Sequence, residues 1–454
     1  MSSFRYKKRG YLHFDSPLSE ENALALATST ERVTQHAFYP LIGYTITTPR
    51  ISKGENGEFL REDKDRPIKV CAHSDAAIYS YYAHQLSELY EAELEIRNLT
   101  NAVTAFRSLP GRQMNNIAFA DEVFRYIQAN RPCIAIGLDV RKFFDHLDHT
   151  VLLEQWKQLL EVERLPSDHY AIYKSLTSFC YVERKDVYER FEISVHNPMP
   201  KHINRRRVCS SQKFREVIRG EGFIKPNPEH HNRRGIPQGT PISAILSNIY
   251  MLEFDTTMLA KAKDINGLYR RYCDDIIFVV PPNHRHDVHE CARDEIQRLN
   301  LEIHPDKVCV VEYPSDPSLA ATHGKALQYL GFTFDGQKKL IRASSLSRYY
   351  SKMRRGVRLA KLHQLKHNKI ELSKGLRPSP LKTRKVQIQY SYLIRRRFKN
   401  RKDKAHGRTN FITYALDAAK RMNAPEIKRQ IKGHVKAIRK ESQKPLPYRS
   451  GRQI

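Results

Sequence analysis

Three carboxylates stand at the ends of apolar runs of strand length, and few folds tolerate that placement. The run Cys133 to Leu138, CIAIGL, ends on Asp139; LYRRY and IIFVV are separated only by Cys273, Asp274 and Asp275. Near-continuous apolar runs of this length read as strands buried on both faces, and a short polar step between two of them reads as a hairpin. An Asp-Asp pair in a turn is ordinarily just solvated. Between buried flanks, like charges held together are unfavourable unless a cation lies among them. Carboxylate oxygens suit Mg²⁺. Two such ions roughly 3.5–4 Å apart can stabilise both the attacking and the leaving oxygen of an in-line displacement.

Around these acids the chain alternates between helical and strand periodicity. Ser19 with Glu20 and Glu21 reads as a helix start, running to about His36. Residues 40–72 alternate as a strand pair interrupted by the turn-rich KGENGEF, and helical segments follow over roughly 75–97 and 115–129. A further helix begins near His149 and carries the only tryptophan, Trp156. Residues 181–234 are polar, rich in Pro and His, and read as an inserted lobe or long loop. From Pro241 to about Lys263 apolar residues recur at helical spacing. Past the hairpin come a helix (about 285–300), a strand (308–312) and a strand pair in YLGFTFDGQKKLIR, then a helical, basic remainder from Ser344. This order predicts an α+β fold, a mostly antiparallel sheet with helices on one face.

Charge is segregated along the chain. Of 78 Lys and Arg and 49 Asp and Glu, residues 1–345 hold 46 and 44, and residues 346–454 hold 32 and 5. A basic module of this kind suits neutralisation of phosphates, each contact releasing a counterion; a disordered basic tail is the alternative. Against the tail stand apolar residues at helical spacing: Leu393, Ile394 and Phe398, then Phe411, Ile412, Tyr414, Ala415, Leu416 and Ala419. Seven scattered cysteines without a C-x-x-C point to a reducing compartment and away from a disulfide framework or zinc ribbon. The His230–His231 doublet has no Cys at metal spacing. No apolar run nears the length of a membrane span, and the start MSSFRYKKRGYLHF lacks the apolar stretch of a signal peptide. A cytoplasmic protein without a membrane partner is the expectation.

Five blocks carry a family resemblance. GLDVRKFFDHLDH (137–149), RRGIPQGTPISAILSNIYM (233–251), YCDDIIFV (272–279), LNLEIHPDKVCV (299–310) and LQYLGFTFDG (327–336) resemble, in order and spacing, the successive palm motifs of reverse transcriptases. The resemblance covers about residues 40–340, the rest matching loosely as a thumb. It implies a right-hand polymerase: N-terminal helices and fingers over 1–130, palm over 131–180 and 235–343, an insert or fingers–palm lobe over 181–234, and a basic helical thumb over 344–454. It implies RNA-templated DNA synthesis with two Mg²⁺ ions, Mn²⁺ being a substitute. Asp139 and Asp274 then look like the principal metal ligands and catalytic acids, with Asp275 alongside. Tyr272 looks like the residue packing near the primer end, and Cys273 occupies the variable position. Phe144 looks like the bulky side chain that excludes a ribose 2′-hydroxyl, since a ring under the sugar leaves no room for the extra oxygen. Gly235, Pro237, Gln238 and Gly239 look like the loop that positions template and incoming nucleotide, its glycines permitting close backbone approach. Leu330, Gly331 and Phe332 resemble the primer grip.

Upstream the resemblance is looser. Lys53 and Arg66 look like the fingers residues that hold the triphosphate, or are two solvated fingertip charges; Arg107 has a similar backbone-contacting reading. Arg205, Arg206, Arg207, Lys213, Arg215 and Arg219 read equally as contacts to template RNA or as a solvated face. Arg395, Arg396 and Arg397, interleaved with Tyr390, Tyr392 and Phe398, suit a minor-groove track on an RNA–DNA hybrid. Within the superfamily the chain is similar to the bacterial group II intron and retron-like lineage. It lacks the Asn-Ala-x-x-His and Val-Thr-Gly signatures of retron enzymes, and no maturase-type extension or endonuclease domain is expected after the thumb. It most resembles the defence-associated reverse transcriptases of the type 2 group. That implies an antiphage role, a structured partner non-coding RNA as template, dNTP substrates and a concatemeric cDNA product. Two rivals stay open: template-independent or protein-primed synthesis of a related defence type, and a catalytically idle RNA-binding scaffold.

Overall fold

Apolar runs and alternating segments become strands β1 (Leu41–Lys53), β2 (Phe59–Val70), β3 (Cys133–Asp139), β4 (Cys180–Glu183), β5 (Lys225–Pro226), β6 (Leu268–Tyr272), β7 (Asp275–Val280), β8 (Cys309–Tyr313), β9 (Leu327–Tyr329), β10 (Phe332–Phe334) and β11 (Lys339–Ile341). The computed structural model describes residues 4–53, 59–107, 115–200, 202–392 and 410–446. The chain forms two units, one of Met1–Ser108, Leu138–Phe278 and His284–Val308, the other of Leu109–Gly137, Val279–Asn283 and Cys309–Ile454. Both mix helices with sheets in which antiparallel pairing predominates, an α+β arrangement.

In the first unit β1 and β2 make a long antiparallel hairpin, in register from Ile42 opposite Val70 to Lys53 opposite Phe59. Strand β4 joins β1 in parallel, with Leu41 opposite Tyr181, and β5 pairs antiparallel with β4. Residues 181–234 are therefore not a free loop. Their few apolar residues, Val182, Val187, Tyr188, Ile193, Val208, Phe214 and Ile218, form a core with Leu12, Phe14 and Ile42. Between charged neighbours, that apolar set is too sparse to read as an element. Around it Arg206, Arg207, Lys213, Arg215 and Arg219 are exposed and Arg205 half-buried.

Two expected helices are each a pair. The segment after Ser19 forms Glu20–Ala27 and Thr30–Thr34, because Ser29 caps a new start, its Oγ accepting from the Arg32 N–H at 3.3 Å. The segment after Pro241 forms Ser243–Tyr250 and Leu252–Asp264, broken at Met251. Helices His73–Ile96, His149–Leu159 and Arg285–Arg298 lie where the periodicity puts them. Strand β6 neighbours β7, and β7 neighbours β3, so the two acid-bearing strand ends stand side by side.

In the second unit β3 pairs antiparallel with β8, from Cys133 opposite Tyr313 to Gly137 opposite Cys309, and the Asn116–Ala129 helix belongs to the same unit. Where the sequence reads a strand pair, three strands form, because Leu330 (φ +46°) and Gly331 (φ +91°) turn the chain between β9 and β10. The described part of the basic quarter is folded: helix Ala343–Ser373 packs Met353 and Val357 against Val386 and Ile438, and Phe411–Arg421 opens with an Asn410–Thr413 capping box; Leu393, Ile394 and Phe398 lie outside the described residues. Among the described residues no helix is long and apolar enough to cross a membrane.

Candidate active site

The first unit holds a cleft of about 710 Å³ whose lining includes Asp139, Asp274, Asp275, Tyr272, Phe144, Gln238 and Arg66. Neighbouring strands bring the acids there. The Val140 N–H donates to the Asp274 carbonyl at 3.3 Å, which fixes the end of β3 against the turn before β7. Cys273 turns the chain at φ +60°, and Asp275 is already the first residue of β7. Asp139 and Asp274 are half-buried and Asp275 is exposed. Burial, then the charge of Asp274, pushes the Cys273 thiol well above its usual range, so it stays neutral.

The carboxylates do not stand as an assembled ion cage. Among the described residues no three His, Cys, Asp or Glu side chains converge closely enough to hold an ion. The Asp139 carboxylate closes on Lys307, whose Nζ lies 2.5 and 3.0 Å from its two oxygens. Lys307 ends a 3₁₀ turn, Pro305–Lys307, that the His304 N–H ties to the Asp139 carbonyl at 2.8 Å. Sequence reasoning passed over Lys307, although it sits inside the matched block 299–310. A lysine just before a strand looks like solvated punctuation until the pairing of Val140 with Ile303 brings it to the acid. The donor chemistry fits a hard divalent cation: carboxylate oxygens on one cleft, with the nearby thiol buried and neutral.

Phe144 and the Gln238 loop reach the cleft together. Gly235 and Ile236 run along the short helix Phe143–His146, their N–H groups donating to Leu147 and Phe144 carbonyls at 2.8 and 3.0 Å. Gly235 sits at φ +85°, and a Cβ there would stand 2.8 Å from the Asp145 carbonyl, so only glycine permits the approach. The Gln238 carbonyl accepts from the Lys69 N–H at 2.9 Å, and a Cβ on Gly239 (φ +121°) would meet the Lys69 carbonyl at 2.8 Å. Ser243 Oγ donates to the buried Pro237 carbonyl at 2.6 Å. The loop is thus fastened to the base of the β1–β2 hairpin. Burial lowers the Lys69 ammonium and raises the Asp145 carboxyl, each partly offset by the other's charge.

Other expected residues fare differently. Arg66 is exposed on the cleft lining. Lys53 ends β1 opposite Phe59; its side chain, like Arg395, Arg396 and Arg397, lies outside the described residues. Leu330, Gly331 and Phe332 belong to the second unit, where Phe332 is fully buried with its ring 6.2 Å from Tyr414. Its side chain is core, so only the Leu330–Gly331 turn is presented. Arg107 does not face phosphate. Its side chain is 1% exposed, paired with Glu91 at 2.6 Å and donating to the Thr100 and Val103 carbonyls.

A buried network under the acid turn also escaped the sequence. Arg271 and Asp255 form an ion pair with both side chains at 0% exposure. Arg271 Nη1 donates to the Cys273 carbonyl and to Asn248 Oδ1, each at 3.2 Å. The one signal was the Arg270–Arg271 pair inside a strand-length run, where alternation turns one of the two inward.

No curated protein matches the sequence. Similar solved structures include apo telomerase from Candida tropicalis, 14% identical over 67% of this chain and 52% of that chain with a TM-score of 0.36. Telomerase from Candida albicans in complex with a TWJ fragment of telomeric RNA is 11% identical over 92% and 58%, with a TM-score of 0.39. The chain spans about half the length of these telomerases. The model of the family "Reverse transcriptase (RNA-dependent DNA polymerase)" matches residues 53–334, more than half of the sequence and all of the cleft. The chain belongs to the reverse transcriptase family.

Proposed function

We propose that this chain is an RNA-templated DNA polymerase in which Asp139, Asp274 and Asp275 hold two Mg²⁺ ions, or Mn²⁺ in their place. The observation that carries the reading is the shared cleft, in which acids distant in sequence meet the Phe144 ring and the Gln238 loop. Ions bound there would stabilise charge on the attacking 3′-oxygen and on the leaving pyrophosphate. The chain's own groups do the rest. Arg66 faces triphosphate oxygens, where a guanidinium binds in bidentate fashion. Phe144 lies beneath the sugar and excludes a 2′-hydroxyl. The fastened Gln238 loop orients the nucleotide, and Lys307 Nζ adds positive charge beside Asp139.

The finer reading follows the resemblance: a cytoplasmic, defence-associated enzyme of the type 2 group copying a structured non-coding RNA into concatemeric cDNA. Fingers over 1–130, palm over 131–180 and 235–343 around the 181–234 lobe, and thumb over 344–454 belong to the same reading. The excess of 32 basic over 5 acidic residues in the last quarter supports a polyanionic partner. The seven free cysteines are in keeping with a reducing compartment.

The test is primer extension on an RNA template with dNTPs and Mg²⁺. Extension is expected, and the Asp274→Ala/Asp275→Ala protein should lose it while still binding RNA. Undiminished extension by the double variant would overturn the acid assignment. Sequencing nucleic acid that co-purifies with each protein separates the rivals: a discrete RNA with complementary DNA supports templating, and DNA of random sequence defeats it.

A further inference from the structure

Residues Ala102 to Ala105 are buried, yet the next residue, Phe106, is 52% exposed and lines the cleft beside the acids. Its backbone is left-handed, at φ +59°, a conformation that crowds a bulky L-residue. Slack chain does not put it there, because the residues on both sides are bolted down. The Thr104 N–H and Oγ1 both donate to the Arg271 carbonyl at 3.0 Å. The Ala105 carbonyl accepts from Asn248 Nδ2 at 3.0 Å. On the far side Arg107 is buried against Glu91 and two carbonyls. Among the described residues the Phe106 ring itself stacks on no other ring.

The bolts are shared with the catalytic acids. Arg271, whose carbonyl holds Thr104, sends its guanidinium to the Cys273 carbonyl immediately before Asp274, and to Asn248, which holds Ala105. One buried network therefore sets the reach from the acid turn to the ring. A strained, braced and exposed aromatic face in a cleft built for nucleotides has one kind of flat partner available, a nucleobase.

We propose that Phe106 is a base-stacking platform on the cleft wall, taking the base of either the templating strand or the incoming nucleotide, held at fixed distance from the acids by the Arg271–Asn248 network. The proposal rests on the polymerase reading above. The test uses the full chain with a chain-terminated primer on RNA. In one arm 2-aminopurine is the templating base; in the other, 2-aminopurine deoxyribonucleoside triphosphate is the incoming nucleotide. In one arm the unsubstituted protein should quench the probe, Phe106→Ala should abolish the quenching, and Phe106→Trp should keep it. The Ala variant should bind that probe roughly 5- to 150-fold more weakly, the span that base–aromatic stacking gives. Phe106→Asn, which accepts the left-handed backbone, should behave as Ala does, so relaxation of the backbone is not the cause. In extension assays with ordinary substrates the loss should fall mainly on KM. Equal binding of both probes by Phe106→Ala and by the unsubstituted protein, in a protein that does extend primers, overturns the platform and leaves the polymerase standing. No extension by the unsubstituted protein overturns both.

Discussion

Replacing Asp255 with Asn tests what holds the acid turn in place. Asp255 Oδ1 accepts from the Tyr269 hydroxyl at 2.5 Å and from Arg271 Nε at 2.7 Å, and Oδ2 accepts from Arg271 Nη2 at 2.5 Å. Asparagine keeps the shape, removes the charge, and turns one of those acceptors into a donor aimed at donors. Burial alone would push the Arg271 guanidinium down; Asp255 holds it well above its usual value, so it stays charged. Removing one partner of a buried pair costs about 3–5 kcal/mol, because the remaining charge has no water and no counter-charge. The readout is built in. Trp156 is the only tryptophan, is fully buried and belongs to the first unit, so its emission follows that unit's unfolding. With a urea slope of about 3 kcal/mol per M, the midpoint should fall by roughly 1–2 M. Arg271→Met combined with Asp255→Leu should recover only part of the loss: apolar residues of similar volume can replace a buried pair at little net cost, but the Tyr269 hydroxyl, the Cys273 carbonyl and Asn248 Oδ1 each lose a partner. A midpoint lowered by less than about 0.3 M in Asp255→Asn would refute the claim that this pair is desolvated.

Two further outcomes follow from groups in the same unit. Phe144→Ala should raise incorporation of ribonucleotides relative to deoxyribonucleotides by about tenfold or more, a loss of exclusion worth roughly 1.4 kcal/mol; an unchanged ratio would place the ring away from the sugar. The protein should lose stability in mild acid through His13. That ring takes the Phe14 N–H on Nδ1 at 2.9 Å and faces the Val70 carbonyl with Nε2 at 3.3 Å, so its neutral form carries hydrogen on Nε2. Burial pushes its pKa down to about 4, with Asp15 opposing and His73 reinforcing the shift. An unfolded chain takes up that proton near pH 6.5 and the folded one only near 4. Stability is therefore full above pH 6.5 and falls by roughly 1.4 kcal/mol per unit as pH drops towards 4. His73, His149 and His169, lowered mainly by burial, act in the same direction. The urea midpoint of His13→Gln should fall less between pH 7 and 5 than that of the unsubstituted protein; equal falls would contradict the assignment.

The parts of the site that were legible are those where chemistry and periodicity coincide. Asp139 could be read because a charge that ends a run like CIAIGL has few uses, and the 272–279 hairpin because two apolar strands bracket its acids. Residues 181–234 were opaque because β4 and β5 find their partners far away in sequence, and only pairing with β1 gives their apolar positions a common face. Arg107 misled for a related reason: nothing local shows that Glu91, one helix earlier, takes its charge. Lys307 and Asn248 act through contacts 168 and 143 residues away in the chain, beyond any local pattern.

Strands β3 and β7 each begin in one unit and finish in the other, and each unit gathers three stretches of sequence. Neither can be released by a single cut, so a chain trimmed at one point loses part of a strand or leaves a half-built body. The interleaving also sets a timetable at the ribosome. The first unit cannot close until Val308 has emerged, and by then the Asn116–Ala129 helix of the second unit has long been waiting for β8 to β11.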